Sequence, residues 1–170
     1  MRSPRSFSIF VALLAIVSSL PAALSDLKVI EQTCKQTPHY DLCYKTLVDD
    51  PKSQSKDVQG LGLVVVAKLT SKSKSVLEQI NNLLPKRKDL KSSLDYCKSQ
   101  YNDLIGVYIP ETYEALSKGN PKFAQDGARA SSGASMECEA NFKGQNPFKK
   151  DNQEVQFLAE VAGGIIQLLL

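Results

Sequence analysis

The chain has 170 residues, 21 basic and 18 acidic, with a formal charge of +3, a single histidine and no tryptophan. That length suits one ordinary domain, and a balance so close to neutral gives no support for nucleic-acid binding. With one imidazole in the chain, the usual general base of hydrolytic chemistry is nearly absent.

The first segment reads as a processing signal. Arg2 and Arg5 precede an apolar run from Ile9 to Leu20, broken only by Ser18 and Ser19. Pro21-Ala22-Ala23-Leu24-Ser25 then offers small residues suited to cleavage after Ser25. This is the layout of a secretory signal peptide over residues 1–25, and the run is too short to span a bilayer. The expected domain is therefore 26–170, and loss of Arg2 and Arg5 takes its charge from +3 to +1.

Four cysteines follow the signal: Cys34, Cys43, Cys97 and Cys138. An even count behind a secretory signal predicts disulfides, in any of three connectivities. No C-x-x-C pair exists and His39 lies between two cysteines without ligand spacing, so neither a metal nor a cofactor is expected.

Residues 26–50 predict a helical hairpin. Glu31 to Val48 reads as two short helices meeting at Thr37-Pro38, with Pro38 in the first turn of the second, where its missing N–H is no loss. Cys34 and Cys43 flank that turn, and the hairpin would bring them together. Closing so short a loop contributes about 2.5–3 kcal/mol in the chain-entropy model.

Residues 55–170 carry four longer helical patterns. Val58, Gly62, Val65, Leu69, Val76, Ile80 and Leu83 form one face of the first, and Leu90, Leu94, Cys97, Tyr101, Leu104 and Tyr108 one face of the second. The third repeats the spacing with small residues: Ala124, Gly127, Ser131, Ala134, Cys138 and Phe142. The fourth carries Val155, Leu158, Ala162, Ile165 and Leu169. Spacings of three and four mark helices packed lengthwise, and no stretch shows sustained strand alternation.

The breaks agree. Leu84-Pro85, Gly119-Asn120-Pro121 and the stretch from Gly144 to Lys150 separate the four, and Asp151 with Glu154 resembles a capping box for the last. Pro110 either kinks the second helix or starts a short extra one ending near Lys118. Short connections predict an all-α, up-down-up-down four-helix bundle. Cys97 and Cys138 fall on the apolar seams of neighbouring helices, so the expected pairing is Cys34–Cys43 with Cys97–Cys138. The apolar stretch Phe157 to Leu170 is interrupted by Glu160 and Gln167, which fits a core helix better than a lipid-anchor tail.

Catalytic signatures are lacking. His39 reads as a surface histidine in a tight turn. The acids lie mostly on polar helix faces, and no phosphate loop, dinucleotide fingerprint or G-x-S-x-G elbow occurs. Lys86-Arg87-Lys88, followed by Asp89, reads as a solvated helix start.

One segment breaks a local rule. Asn120 is a natural N-cap and Pro121 a natural first helical residue, but an acid is then favoured by the helix dipole. Lys122 and Phe123 stand there instead. The bland expectation leaves Lys122 in water and Phe123 packed back on Ala115 or Leu116. The functional one is a rigid cation-plus-aromatic tip aimed at an acidic pocket.

With these residues in view, the chain resembles the plant invertase and pectin methylesterase inhibitor family. The resemblance rests on Ile30-x-x-Thr33-Cys34 and on Thr37-Pro38-His39-Tyr40-Asp41-Leu42-Cys43. It continues in Leu94-Asp95-Tyr96-Cys97 and Ala134-Ser135-Met136-Glu137-Cys138, and spans Leu27 to Leu170. It implies a helical hairpin on a four-helix bundle, with the first two and last two cysteines paired. It also implies a non-catalytic inhibitor of acid invertase (a β-fructofuranosidase) or of pectin methylesterase, acting in the cell wall or vacuole. The Pro-Lys-Phe motif of the invertase inhibitors corresponds to Pro121, Lys122 and Phe123, which the resemblance places in the enzyme's substrate pocket. The alternatives are a pectin methylesterase inhibitor that binds through bundle faces, and a helical carrier of small apolar ligands in a cavity left by the third helix.

Overall fold

The computed structural model describes residues 26–170; the signal peptide expected over 1–25 lies outside them. Every regular element among the described residues is helical. Helix α1 covers 26–34 and α2 covers Tyr40–Val48. Between them the chain reverses sharply: the Thr37 hydroxyl and N–H both reach the Cys34 carbonyl, and His39 takes φ 58°. That left-handed residue excludes Pro38 from the helix. Pro38 therefore lies in the bend before α2, and not in its first turn as the sequence suggested. A disulfide joins Cys34 to Cys43 across the bend, with Cα atoms 5.6 Å apart.

The bundle follows. Asp57 caps α3 (Val58–Leu83) by accepting the Gly60 N–H at 2.8 Å. A short turn in which Arg87 pairs with Asp89 leads into α4 (Lys91–Asp103). Pro110 then acts through the backbone. It lacks an N–H, and its ring conflicts with the carbonyl four residues back. The chain answers with one widened π-helical turn over Leu104–Tyr108, in which the Ile109 N–H bonds the Leu104 carbonyl, and continues as α5 (Ile109–Ser117). Helices α6 (Pro121–Asn141) and α7 (Lys149–Gln167) complete the bundle. Helix α3 packs on α4, α5 and α7, and α6 packs on the same three, so α3 and α6 occupy opposite corners.

The apolar stripes form the core. Val65, Leu69, Val76, Ile80, Leu94, Cys97, Tyr101, Leu104, Ala124, Cys138, Val155, Leu158, Ala162 and Ile165 are all 0% exposed. Val58, Leu83, Tyr108 and Leu169, at the stripe ends, are only half-buried. Cys97 and Cys138 are bonded between α4 and α6, with Cα atoms 4.7 Å apart. Beside this staple lies a buried polar relay. The Tyr101 hydroxyl donates to Asn152 Oδ1 at 2.8 Å, and the Asn152 amide donates to the Ser135 carbonyl at 3.0 Å. Burial pushes the Tyr101 phenol far above its ordinary pKa, so it stays a neutral donor.

Helix α7 begins three residues earlier than its Asp151–Glu154 pair suggested, with Phe148 at the N-cap and its N–H held by Asn146 Oδ1 at 2.9 Å. The two acids are not a capping box. They grip the Lys72 ammonium of α3 at 2.6 and 2.7 Å, and Gln79 adds a 3.0 Å hydrogen bond to Asp151. Lys72, with a side chain only 19% exposed, needs that compensation. Its burial opposes the charge, but the two carboxylates outweigh it and raise the Lys72 pKa.

Candidate functional site

The turn from α5 to α6 is fixed by its backbone. The Gly119 N–H donates to the Leu116 carbonyl at 3.1 Å and the Asn120 N–H to the Ala115 carbonyl at 2.8 Å. This is the Schellman arrangement, and it requires a left-handed residue after the helix; Gly119 supplies it with φ 72°. From α3, Gln59 Nε2 reaches the Leu116 carbonyl at 2.7 Å and braces the same turn. Pro121 then opens α6 with its φ pre-set. Asn120 holds the N-cap position, but its side chain makes no capping bond.

The first turn of α6 is oriented by what it buries. Ala124 is 0% exposed. Gly127 lies so close to α5 that an added Cβ would stand 2.4 Å from Thr112 Oγ1 and 2.8 Å from the Tyr108 carbonyl. With Ala124 and Gly127 facing inward, the 100° step of the helix turns Lys122 and Phe123 outward. Both are exposed, and Phe123 at 69% has the most exposed large apolar side chain among the described residues. The Phe123 ring is therefore presented to solvent and not buried against Ala115 or Leu116. Lys122 forms no ion pair with any described residue, and the first turn contains no acid. The partial positive charge of the helix end adds to that of the ammonium. The product is a cation and an aromatic ring held out on a rigid turn, a shape suited to entering a negatively charged cavity.

A groove of about 550 Å³ runs beside the tip between α5 and α6. Tyr108, Ala115 and Phe123 line it together with Glu111, Glu114 and Asp126.

His39 departs from the surface-turn expectation. Its Nε2 lies 2.6 Å from Glu160 Oε2, and its ring stacks on Phe157 with centroids 3.8 Å apart. The bend around it rests on Gly164 of α7, where an added Cβ would stand 2.9 Å from Pro38 Cδ. Glu160 also accepts from Ser132 at 3.2 Å and Gln156 at 2.9 Å. Burial works against the Glu160 charge, but these hydrogen bonds, that of His39 foremost, hold its carboxyl below the ordinary range. His39 is thus a strut tying the hairpin to the bundle. The sequence could not reveal this, because 121 residues separate the partners and Glu160 read only as a break in an apolar stripe.

Among the described residues no group of His, Cys, Asp or Glu is arranged to hold a metal ion, and no helix is long and apolar enough to cross a membrane.

Comparison with known proteins agrees with the fold. The family model described as plant invertase/pectin methylesterase inhibitor matches residues 28–164. "Cell wall / vacuolar inhibitor of fructosidase 1" of Arabidopsis thaliana is 35% identical over 142 residues, 84% of this chain and 69% of that protein. A "Pectinesterase inhibitor" of Actinidia deliciosa is 28% identical over 82% of this chain and 79% of its own length. Among solved structures, a mutant form of a pectin methylesterase inhibitor from Arabidopsis superposes with a TM-score of 0.71 at 17% identity, covering 81% of this chain and 94% of that one. The hairpin, the bundle, both disulfides and a match over most of the described residues lead to one conclusion: the chain belongs to the plant invertase/pectin methylesterase inhibitor family.

Proposed function

We propose that this protein is a secreted, non-catalytic inhibitor of acid invertase, cleaved after Ser25 and delivered to the cell wall or vacuole, that fills the enzyme's substrate pocket with Pro121, Lys122 and Phe123. The observation that carries the reading is the outward Lys122–Phe123 pair on a backbone-locked turn. The Arabidopsis relative named for fructosidase inhibition supports the choice of target.

The energetics favour such a plug. A glycosidase pocket is built on carboxylates that flank the scissile bond, so its potential is negative. An ammonium brought there forms a charge-assisted contact in a site shielded from water. Phe123, exposed in the free protein, buries apolar surface beside it, and the locked turn reduces the ordering cost of binding. Desolvated cationic and aromatic anchors of this kind dominate interface energies. Inhibition is then competitive with the sugar, and it weakens as the pocket acids become protonated.

The test is a titration of acid invertase and pectin methylesterase in parallel across pH 4 to 7. Lys122→Ala is expected to weaken invertase inhibition at least tenfold, consistent with the ~2 kcal/mol that defines a hot spot. Unchanged inhibition by that variant removes the plug.

A second reading, inhibition of pectin methylesterase through the bundle faces, is favoured by the Actinidia relative and the solved neighbours. It predicts inhibition of the esterase that is indifferent to Lys122→Ala. The carrier alternative finds no cavity at one of the small seam residues of the third bundle helix. Gly127 is used to bring α6 against α5, and leaves no room there even for one added carbon.

A further inference from the structure

The groove beside the tip carries mainly charge opposite to that of the tip itself: Glu111, Glu114 and Asp126 line it, with Lys118 the one basic residue among its lining. Phe123 forms its outer wall, Tyr108 and Ala115 give it apolar surface, and Glu111 and Asp126 stand along it. Both acids are exposed and neither forms an ion pair with a described residue, whereas the neighbouring Glu114 is engaged by Lys118. Glu111 lies in the first turn of α5, and Asp126 follows Lys122 by one turn of α6. The apolar wall and the two carboxylates thus face one space, directly beside the side chain expected to enter the partner.

That placement constrains the partner. If Lys122 and Phe123 enter an acidic pocket, the two carboxylates come to rest against its rim. A rim as negative as the pocket would repel them, and like charges juxtaposed across an interface select against a partner. A basic side chain on the rim would instead lay its methylene stem along the apolar wall and its charged head between the acids. Tyr108 and Phe123 both line the groove and bring aromatic rings beside the same cation.

We propose that the α5–α6 groove docks a lysine or arginine side chain from the rim of the target enzyme's pocket, so that the inhibitor reads an alternation of charge, negative pocket and positive rim. This rests on the plug reading above and names the second half of the same interface.

The experiment compares the disulfide-bonded protein with a charge-reversed variant (Glu111→Lys with Asp126→Lys) and a neutral one (Glu111→Gln with Asp126→Asn). Each is titrated against an acid invertase that the unsubstituted protein inhibits, at low and high ionic strength. Both positions are exposed, so helix content by circular dichroism should be unchanged. The charge-reversed variant is expected to lose at least tenfold in inhibition, and the neutral one severalfold with a weaker salt dependence. The proposal is overturned if both variants inhibit as the parent does, or if the charge-reversed variant inhibits more tightly. It is equally overturned if the substitutions change self-association on gel filtration, since the occupant is then a second copy. Lys122→Ala run alongside separates the two readings. Loss with Lys122→Ala but not with the groove variants refutes the groove alone, and the reverse pattern refutes the plug while keeping the groove as interface.

Discussion

Two turns in this molecule each hinge on a left-handed residue, His39 with φ 58° and Gly119 with φ 72°, yet they are secured by different means. The hairpin bend is held by side chains. His39 pairs with Glu160 and stacks on Phe157, Pro38 rests on Gly164, and a disulfide closes the loop. The α5–α6 turn is held by its backbone, through two main-chain hydrogen bonds and a brace from Gln59 to a carbonyl. A turn that spends its side chains on fastening has few left to offer a partner. A turn fastened through its main chain can hold a lysine and a phenylalanine in the open without becoming loose.

Substitutions can break that contrast, and the largest effect should come from the disulfides. Replacing Cys97 and Cys138 by serine opens a loop of 41 residues and should lower stability by about 4 kcal/mol in the chain-entropy model. Replacing Cys34 and Cys43, 9 residues apart, should cost about 2.5 kcal/mol. Denaturant unfolding under non-reducing conditions measures both. The second pair should loosen the hairpin while leaving inhibition through the tip largely intact.

Gly164→Ala tests the seat of the hairpin directly. The new methyl would meet Pro38 and Thr37 at 2.9 to 3.1 Å, so a loss of about 1–2 kcal/mol is expected. Amide exchange should quicken around residues 34–43 and not around 115–124. Uniform quickening would show that the two turns are not independent.

The Glu160 carboxylate gives the hairpin bend a pH signature. The Glu160 carboxyl is held below its ordinary value, so its contribution is present above the unfolded carboxylate range, about pH 4.3. It is lost as pH falls through the lowered folded value. Thermal melting of Glu160→Gln should therefore converge on the parent in that acid window and lie below it at pH 5 to 6. A constant gap across the range contradicts the assignment.

The smallest stability effect belongs to Phe123→Ala. At 69% exposure the ring contributes little to folding, and the change should stay within about 0.5 kcal/mol. Invertase inhibition should nevertheless fall about tenfold or more. A variant that loses stability and inhibition together would mean that the ring is packed and not presented.

Much of this was legible from residue order. The four stripes, the Gly119-Asn120-Pro121 break and the unusual Lys122–Phe123 pair all stood out, because helix period, turn chemistry and cap preference act within about four residues. What escaped were the side chains that act over distance. Asp151 and Glu154 had the spacing of a capping box, but Lys72 on another helix claimed both. Pro110 left two outcomes open, a kink or a new helix, and the structure reconciles them with one widened turn over Leu104–Tyr108 that carries the chain on into α5.

By itself the sequence determined an all-helical chain with hairpin and bundle, and the place in it where a local rule is broken. Those are consequences of periodicity and of backbone preference, which each short segment carries with it. Only the tertiary structure decided that His39 is a strut and that the Lys122–Phe123 tip is both exposed and braced. It alone set Glu111 and Asp126 along one groove beside that tip. Such relations arise from how helices are packed and rotated against each other, and no segment specifies that alone.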